Sequence, residues 1–82
     1  MTEEEFLSAL AQRGLLHDVV EAAQEHHCTV AEIGSKNRMA HVARARHAAM
    51  RKCRDKGLSY PAIGELFDRD HSSVMAALKR SA

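Results

Sequence analysis

The chain has no tryptophan, one tyrosine, two phenylalanines and one proline among its 82 residues. So thin an aromatic supply argues against a sheet, because strands draw on aromatic and β-branched side chains. A single proline leaves long stretches free to be helical. The four glycines, Gly14, Gly34, Gly57 and Gly64, fit no G-x-x-x-x-G-K-S/T loop, so ATP binding or hydrolysis of that kind is not expected. Cys28 and Cys53 stand apart without C-x-x-C spacing and read as two buried thiols rather than a disulfide or a zinc site. No apolar run approaches the about 18 residues of a membrane span. The acidic start lacks the basic and apolar regions of a secretion signal, so a cytoplasmic protein without a membrane partner is expected.

What is present is a small, alanine-rich chain, 45% hydrophobic and long enough for one domain. Its composition suits short packed helices. The net charge of +1 hides a division, because residues 1–34 hold seven acids (Glu3, Glu4, Glu5, Asp18, Glu21, Glu25 and Glu32) and one strong base, Arg13. Residues 35–82 hold eleven lysines and arginines against Asp55, Glu65, Asp68 and Asp70. The second part is a basic module able to attract a polyanion.

Capping signals and apolar spacing divide the chain. Thr2 and Glu5 have capping-box spacing at the head of a helix over residues 2–13, with Phe6, Leu7 and Leu10 as its apolar stripe and Gly14 as its stop. A second helix is expected from Leu16 to His27, with Leu16, Val19, Val20, Ala23 and His27 along one face. Thr29 and Glu32 open a short helix that Gly34 ends, and the polar, basic loop SKNR follows. Residues 39–56 predict a long helix with Val42, Ala45, Ala49 and Cys53 inward, and Arg44, Arg51, Lys52 and Arg54 mostly outward, ending at Gly57.

Ser59 caps the next helix, Pro61 sits in its first turn, and Ile63, Leu66 and Phe67 form its buried face. Asp70 is placed to cap the last helix, with Val74, Ala77 and Leu78 on one side and Ser72, Ala76 and Lys79 on another. The expected fold is all-α, a small helical bundle with a C-terminal helix-turn-helix. A recognition helix needs an apolar face on its own domain, polar side chains in its first turn, and nearby cations for phosphates. Asp70 has the chemistry to accept from cytosine N4, His71 to donate to a base acceptor or touch a thymine methyl, and Ser72 or Ser73 to bond a base edge or phosphate.

The stretch SYPAIGELFDRDHSSVMAALKR resembles the C-terminal DNA-binding domain of the bacterial replication initiator DnaA, whose hallmark runs approximately S-L-P-E-I-G-x-x-F-G-G-R-D-H-T-T-V-x-H-A. Upstream, VVEAAQEHHCTVAEIGSKNRMAHVARARHAAM is similar to that domain's entry helix, short helix, basic loop and long helix, including its S-K-x-R and V-A-R-x-R elements. The likeness implies a Trp-repressor-like bundle over residues 15–82, to which residues 1–14 add an acidic helix. It implies double-stranded DNA as the partner, with Arg38 in the minor groove and Asp70, His71, Ser72 and Ser73 in the major groove. Lys36, Arg46, His47 and Pro61 fall where the family approaches the phosphate backbone, and Arg44, Ser59, Arg69 and Lys79 complete the candidate contacts.

Departures from the hallmark carry their own expectations. Ser72 and Ser73 replace a threonine pair, keeping the hydroxyls and losing methyls that could touch thymine. The turn Phe67-Asp68-Arg69 is one residue shorter than Phe-Gly-Gly-Arg, and the segment before Gly57 is one residue short. Asn37 stands in place of a usual base, Ala45 in place of a common proline, and Asp68 adds a negative charge.

The expected function is sequence-specific binding at initiator-box-like DNA, in replication-origin or transcriptional control, by a nucleoid-associated protein without ATPase activity or cofactor. The alternative is a protein-interaction module that keeps the fold and recruits or inhibits a partner, with the N-terminal helix as the surface for that partner or a second copy. An enzyme is not expected. His26, His27 and Cys28 are adjacent and point in different directions on a helix, and His41 and His47 are six apart, so no metal site or catalytic set assembles.

Overall fold

Short polar signals divide the described residues into six helices: α1 (Glu3–Gln12), α2 (Leu16–Glu25), α3 (Val30–Gly34), α4 (Ala40–Asp55), α5 (Tyr60–Leu66) and α6 (His71–Arg80). The computed structural model describes residues 2–80, the side chain of Arg80 excepted, and no strand occurs among them. The outermost residues of the two expected segments, Met1, Ser81 and Ala82, lie outside the described residues.

Both expected capping boxes are formed. Thr2 Oγ1 accepts from the Glu5 N–H while Glu5 Oε1 accepts from the Thr2 N–H, each at 3.2 Å. Thr29 and Glu32 repeat the exchange at 3.1 and 2.9 Å. Four helices also end alike. After α1, α2, α4 and α5 the chain enters the left-handed region at Gly14, His27, Gly57 and Asp68, with φ of 70°, 58°, 97° and 55°. In each case that N–H and the next one return to carbonyls of the helix's last turns, as in Cys28 N–H to Ala23 O and Arg69 N–H to Gly64 O, the Schellman arrangement.

The turn at His27 corrects the reading of α2. The helix ends at Glu25, two residues early, and His27 is exposed. Its buried side is Val19, Ala22 and Ala23, whereas Leu16 and Val20 are half-buried. The Schellman turn redirects the chain before His27 can join that face.

One apolar cluster draws on every helix, from Phe6 and Leu10 through Val19, Ile33, Ala49 and Ile63 to Val74 and Leu78. The apolar stripe of α1 is therefore turned into the core, where burial of Phe6 and Leu10 is worth roughly 1.5–3 kcal/mol each. The Phe6 ring meets the Phe67 ring edge-on, with centroids 5.4 Å apart and planes at 67°. It also lies so close to Gly34 that a Cβ there would stand 2.6 Å from its Cδ2. Gly34 is thus the contact surface for α1 as well as the end of α3.

The acidic outer face of α2 is answered by α4. Lys52 Nζ lies 2.8 Å from Glu21 and 3.9 Å from Glu25, and Lys56 Nζ lies 3.3 Å from Asp18. At the far end of the bundle, Arg51 Nη2 donates to the Leu78 carbonyl at 2.6 Å and fastens α6 to α4.

Candidate nucleic-acid interface

The α5–turn–α6 unit begins with Ser59, whose Oγ accepts from the Ala62 N–H at 3.2 Å, and with Pro61 in the first turn. Gly64 lets the two helices meet: a Cβ on it would stand 2.5 Å from the Arg69 carbonyl oxygen and 3.2 Å from the His71 nitrogen. Asp68 alone takes the left-handed step that joins them, which is how the turn works with one residue fewer. The Asp70 carbonyl accepts from the N–H groups of Ser73 and Val74, at 3.0 and 3.2 Å. Its carboxylate lies 3.4 Å from His71 Nδ1. Val74 and Leu78 are buried, so Asp70, His71, Ser72 and Ser73 are held on the exposed side of the helix start.

Facing this start is the loop 35–39, folded by its own side chains. Ser35 Oγ donates to the Glu32 carbonyl at 2.6 Å and accepts from the Asn37 N–H at 3.1 Å, and Asn37 Oδ1 accepts from the Met39 N–H at 2.8 Å. Asn37 therefore shapes the loop, a role that its substitution for a base did not suggest. Arg38 is exposed and makes no hydrogen bond or ion pair with any described residue. Lys36 and Arg38 share one open concavity with Asp68, Arg69, Asp70 and Ser73. A second concavity, lined by Pro61, Glu65, Asp70 and His71 among others, adjoins it on the α5 side.

The candidate residues thus separate into groups. Lys36, Arg38, Arg69, Asp70 and Ser73 come together, and Pro61 and His71 border them. Ser72 and Lys79 are exposed along α6. Arg44 and His47 line a third concavity with His26, Ala48 and Arg51, on the outer side of α4. Ser59 holds the helix cap.

Arg46 departs from the phosphate-contact expectation. It is 5% exposed. Its Nε donates to the Ile33 carbonyl at 2.8 Å, and its Nη2 to the carbonyls of Ser35, Glu32 and Asn37 at 2.9, 3.1 and 3.1 Å. Burial, and then the nearby Arg69 charge, push its guanidinium below the ordinary arginine range. Burial does the same to Arg69, against a small opposing effect from Asp68. The signal for Arg46 was available in its spacing: it stands four residues from both Val42 and Met50, on the apolar face of α4.

Among the described residues no group of three or more His, Cys, Asp or Glu side chains is placed to hold a metal, and no helix is long and apolar enough to cross a membrane. Both cysteines are free, and burial pushes the Cys53 thiol up to about 11.

The family model of the bacterial dnaA protein helix-turn-helix matches residues 17–80, from α2 to the end of α6. Two curated relatives are similar to the chain, the chromosomal replication initiator proteins DnaA of Tropheryma whipplei strain Twist and strain TW08/27. Each is 33% identical over 75 residues, covering 85% of this chain and 16% of the relative. The chain spans about a sixth of the length of these relatives. No solved structure gives a significant match.

Proposed function

The chain belongs to the bacterial DnaA helix-turn-helix family, and on that premise we propose that it reads double-stranded DNA at sites resembling the initiator's box. The observation that carries this reading is the concavity in which an unpartnered Arg38 faces the exposed polar start of α6. An arginine favours the negative potential of a narrow minor groove, and the neighbouring major groove presents the donor and acceptor pattern that Asp70, His71, Ser72 and Ser73 match. Lys36, Arg44, His47 and Lys79 are the candidates for phosphates, and Pro61 is the closest approach of α5 to the backbone.

Such a domain occupies sites of this kind. Its role is to compete for boxes or to regulate transcription or origin firing, as a cytoplasmic DNA-binding protein and not as an enzyme. The alternative of a partner-recruiting α1 is weakened, since Phe6 and Leu10 are consumed in the core. The reading is tested by fluorescence anisotropy with box and scrambled duplexes over a salt series. Expected are tighter binding to the box and a linear fall of log affinity with log salt. Equal affinity for both duplexes, or no binding at low salt, would sink it.

A further inference from the structure

The loop that carries Arg38 is tied to the α5–α6 turn at two points. Arg69 Nη2 donates to the Ser35 carbonyl at 3.1 Å while its Nη1 donates to the Phe67 carbonyl, also at 3.1 Å. Lys36 Nζ donates to the Asp68 carbonyl at 2.8 Å and lies 3.6 Å from the Asp68 carboxylate. From behind, Arg46 holds the same loop, and the Ser35 carbonyl accepts from both guanidiniums. Two like charges converge on one carbonyl oxygen, and α4, the loop and the turn become one braced unit.

We propose that Arg69 is a positioning residue, whose planar fork sets the distance between Arg38 and the start of α6 so that both grooves are met in one register. The proposal rests on the DNA-reading function above and names a specificity device within it. It follows that Arg38 contributes fully only while Arg69 is present. A lysine at 69 keeps the charge but cannot span the Ser35 and Phe67 carbonyls as a guanidinium does.

The rival role for Arg69 is a direct phosphate contact, and the two roles differ in measurable ways. A phosphate contact tolerates lysine, lowers the salt slope by about 1 when the charge is removed, and adds to the effect of Arg38→Ala. The experiment titrates box duplex with wild type, Arg69→Lys, Arg69→Gln, Arg38→Ala and the Arg69→Lys/Arg38→Ala pair over a salt series. It adds backbone 15N relaxation of the free wild type, Arg69→Lys and Lys36→Met proteins.

Positioning gives about a tenfold loss for Arg69→Lys, little further loss on adding Arg38→Ala, an unchanged salt slope for Arg69→Gln, and lower order parameters at residues 36–39. Near-wild-type binding by Arg69→Lys, additive losses or a slope reduced by about 1 overturn it. If wild type binds no box DNA the function itself fails, and unchanged order parameters in both free variants would still refute the tie separately. Lys36→Met removes the second tie without disturbing a buried side chain, so the relaxation readout survives if Arg69 variants fold poorly.

Discussion

Along the seam between α2 and α4, Lys52 and Lys56 are matched to Glu21, Glu25 and Asp18 at 2.8–3.9 Å. Along the edge where the loop 35–39 meets α6, Arg38 is unmatched and the serines of the helix start are exposed. The chain's second part is basic throughout, yet its charge is not equally available. Acids from the first part pair with Lys52 and Lys56 at the end of α4, Arg51 and Arg54 donate to the carbonyls of Leu78 and Leu58, and Arg46 is absorbed by four carbonyls. Among the described residues of the second part, the cations left over, Arg38, Arg44 and Lys79, lie on exposed surfaces of the loop, α4 and α6. A net charge summed over sequence therefore says less about a polyanion site than the list of cations that packing leaves unpaired.

The comparison breaks most severely at Arg46. Its replacement by methionine should strip partners from four carbonyls and lower stability by about 3 kcal/mol, since buried groups left unsatisfied cost about 1–3 kcal/mol each and not all become fully dry. Urea denaturation reads this directly, and a midpoint within error of wild type would contradict the buried-brace assignment. Arg38→Ala should do the opposite, leaving the urea midpoint unmoved while weakening box binding by about 1–3 kcal/mol.

Smaller effects sharpen the contrast. Ser72→Thr together with Ser73→Thr should restore methyls facing thymine and tighten box binding by about 1 kcal/mol, and no gain in affinity or selectivity would show that the hydroxyls alone suffice. Asp68→Gly should raise the melting temperature by the equivalent of about 0.5 kcal/mol. Relief of a left-handed side chain outweighs the entropy that glycine adds to the unfolded chain.

The smallest change belongs to the seam. The hydrogen bond from Lys52, followed by its charge, holds the Glu21 carboxyl below the usual range. Because the folded value is depressed, the contribution is present above the unfolded pKa and is lost as pH falls through the folded one. Glu21→Gln should flatten that part of the acid limb of a stability–pH curve and leave the salt slope of DNA binding as in wild type.

Much of this was legible in local chemistry. The Thr2–Glu5 and Thr29–Glu32 boxes, the Ser59 cap and the stops at Gly14 and Gly57 are short-range signals, and each marks a real boundary. The hidden parts depend on distant partners. His27 turned the chain early because a non-glycine residue accepted a left-handed conformation. The spacing of Arg46 put it on the apolar face of α4, but the carbonyls of Glu32, Ile33, Ser35 and Asn37 that satisfy it there are backbone partners, which no side-chain pattern announces. The same holds for Arg69, whose Ser35 partner lies 34 residues away. The exposed group at the start of α6 was the easier part to see, since its polarity and the apolar spacing behind it sit within one short stretch.

The Phe6 ring, packed on Gly34 and Phe67, separates two ideas of what a domain is. The stretch that the family model matches begins at residue 17, but the ring that packs on Gly34 and Phe67 comes from outside it. A fragment cut to the matched stretch would keep every candidate DNA contact and lose the keystone behind them. The stretch that the family model matches and the apolar core have different borders in this chain.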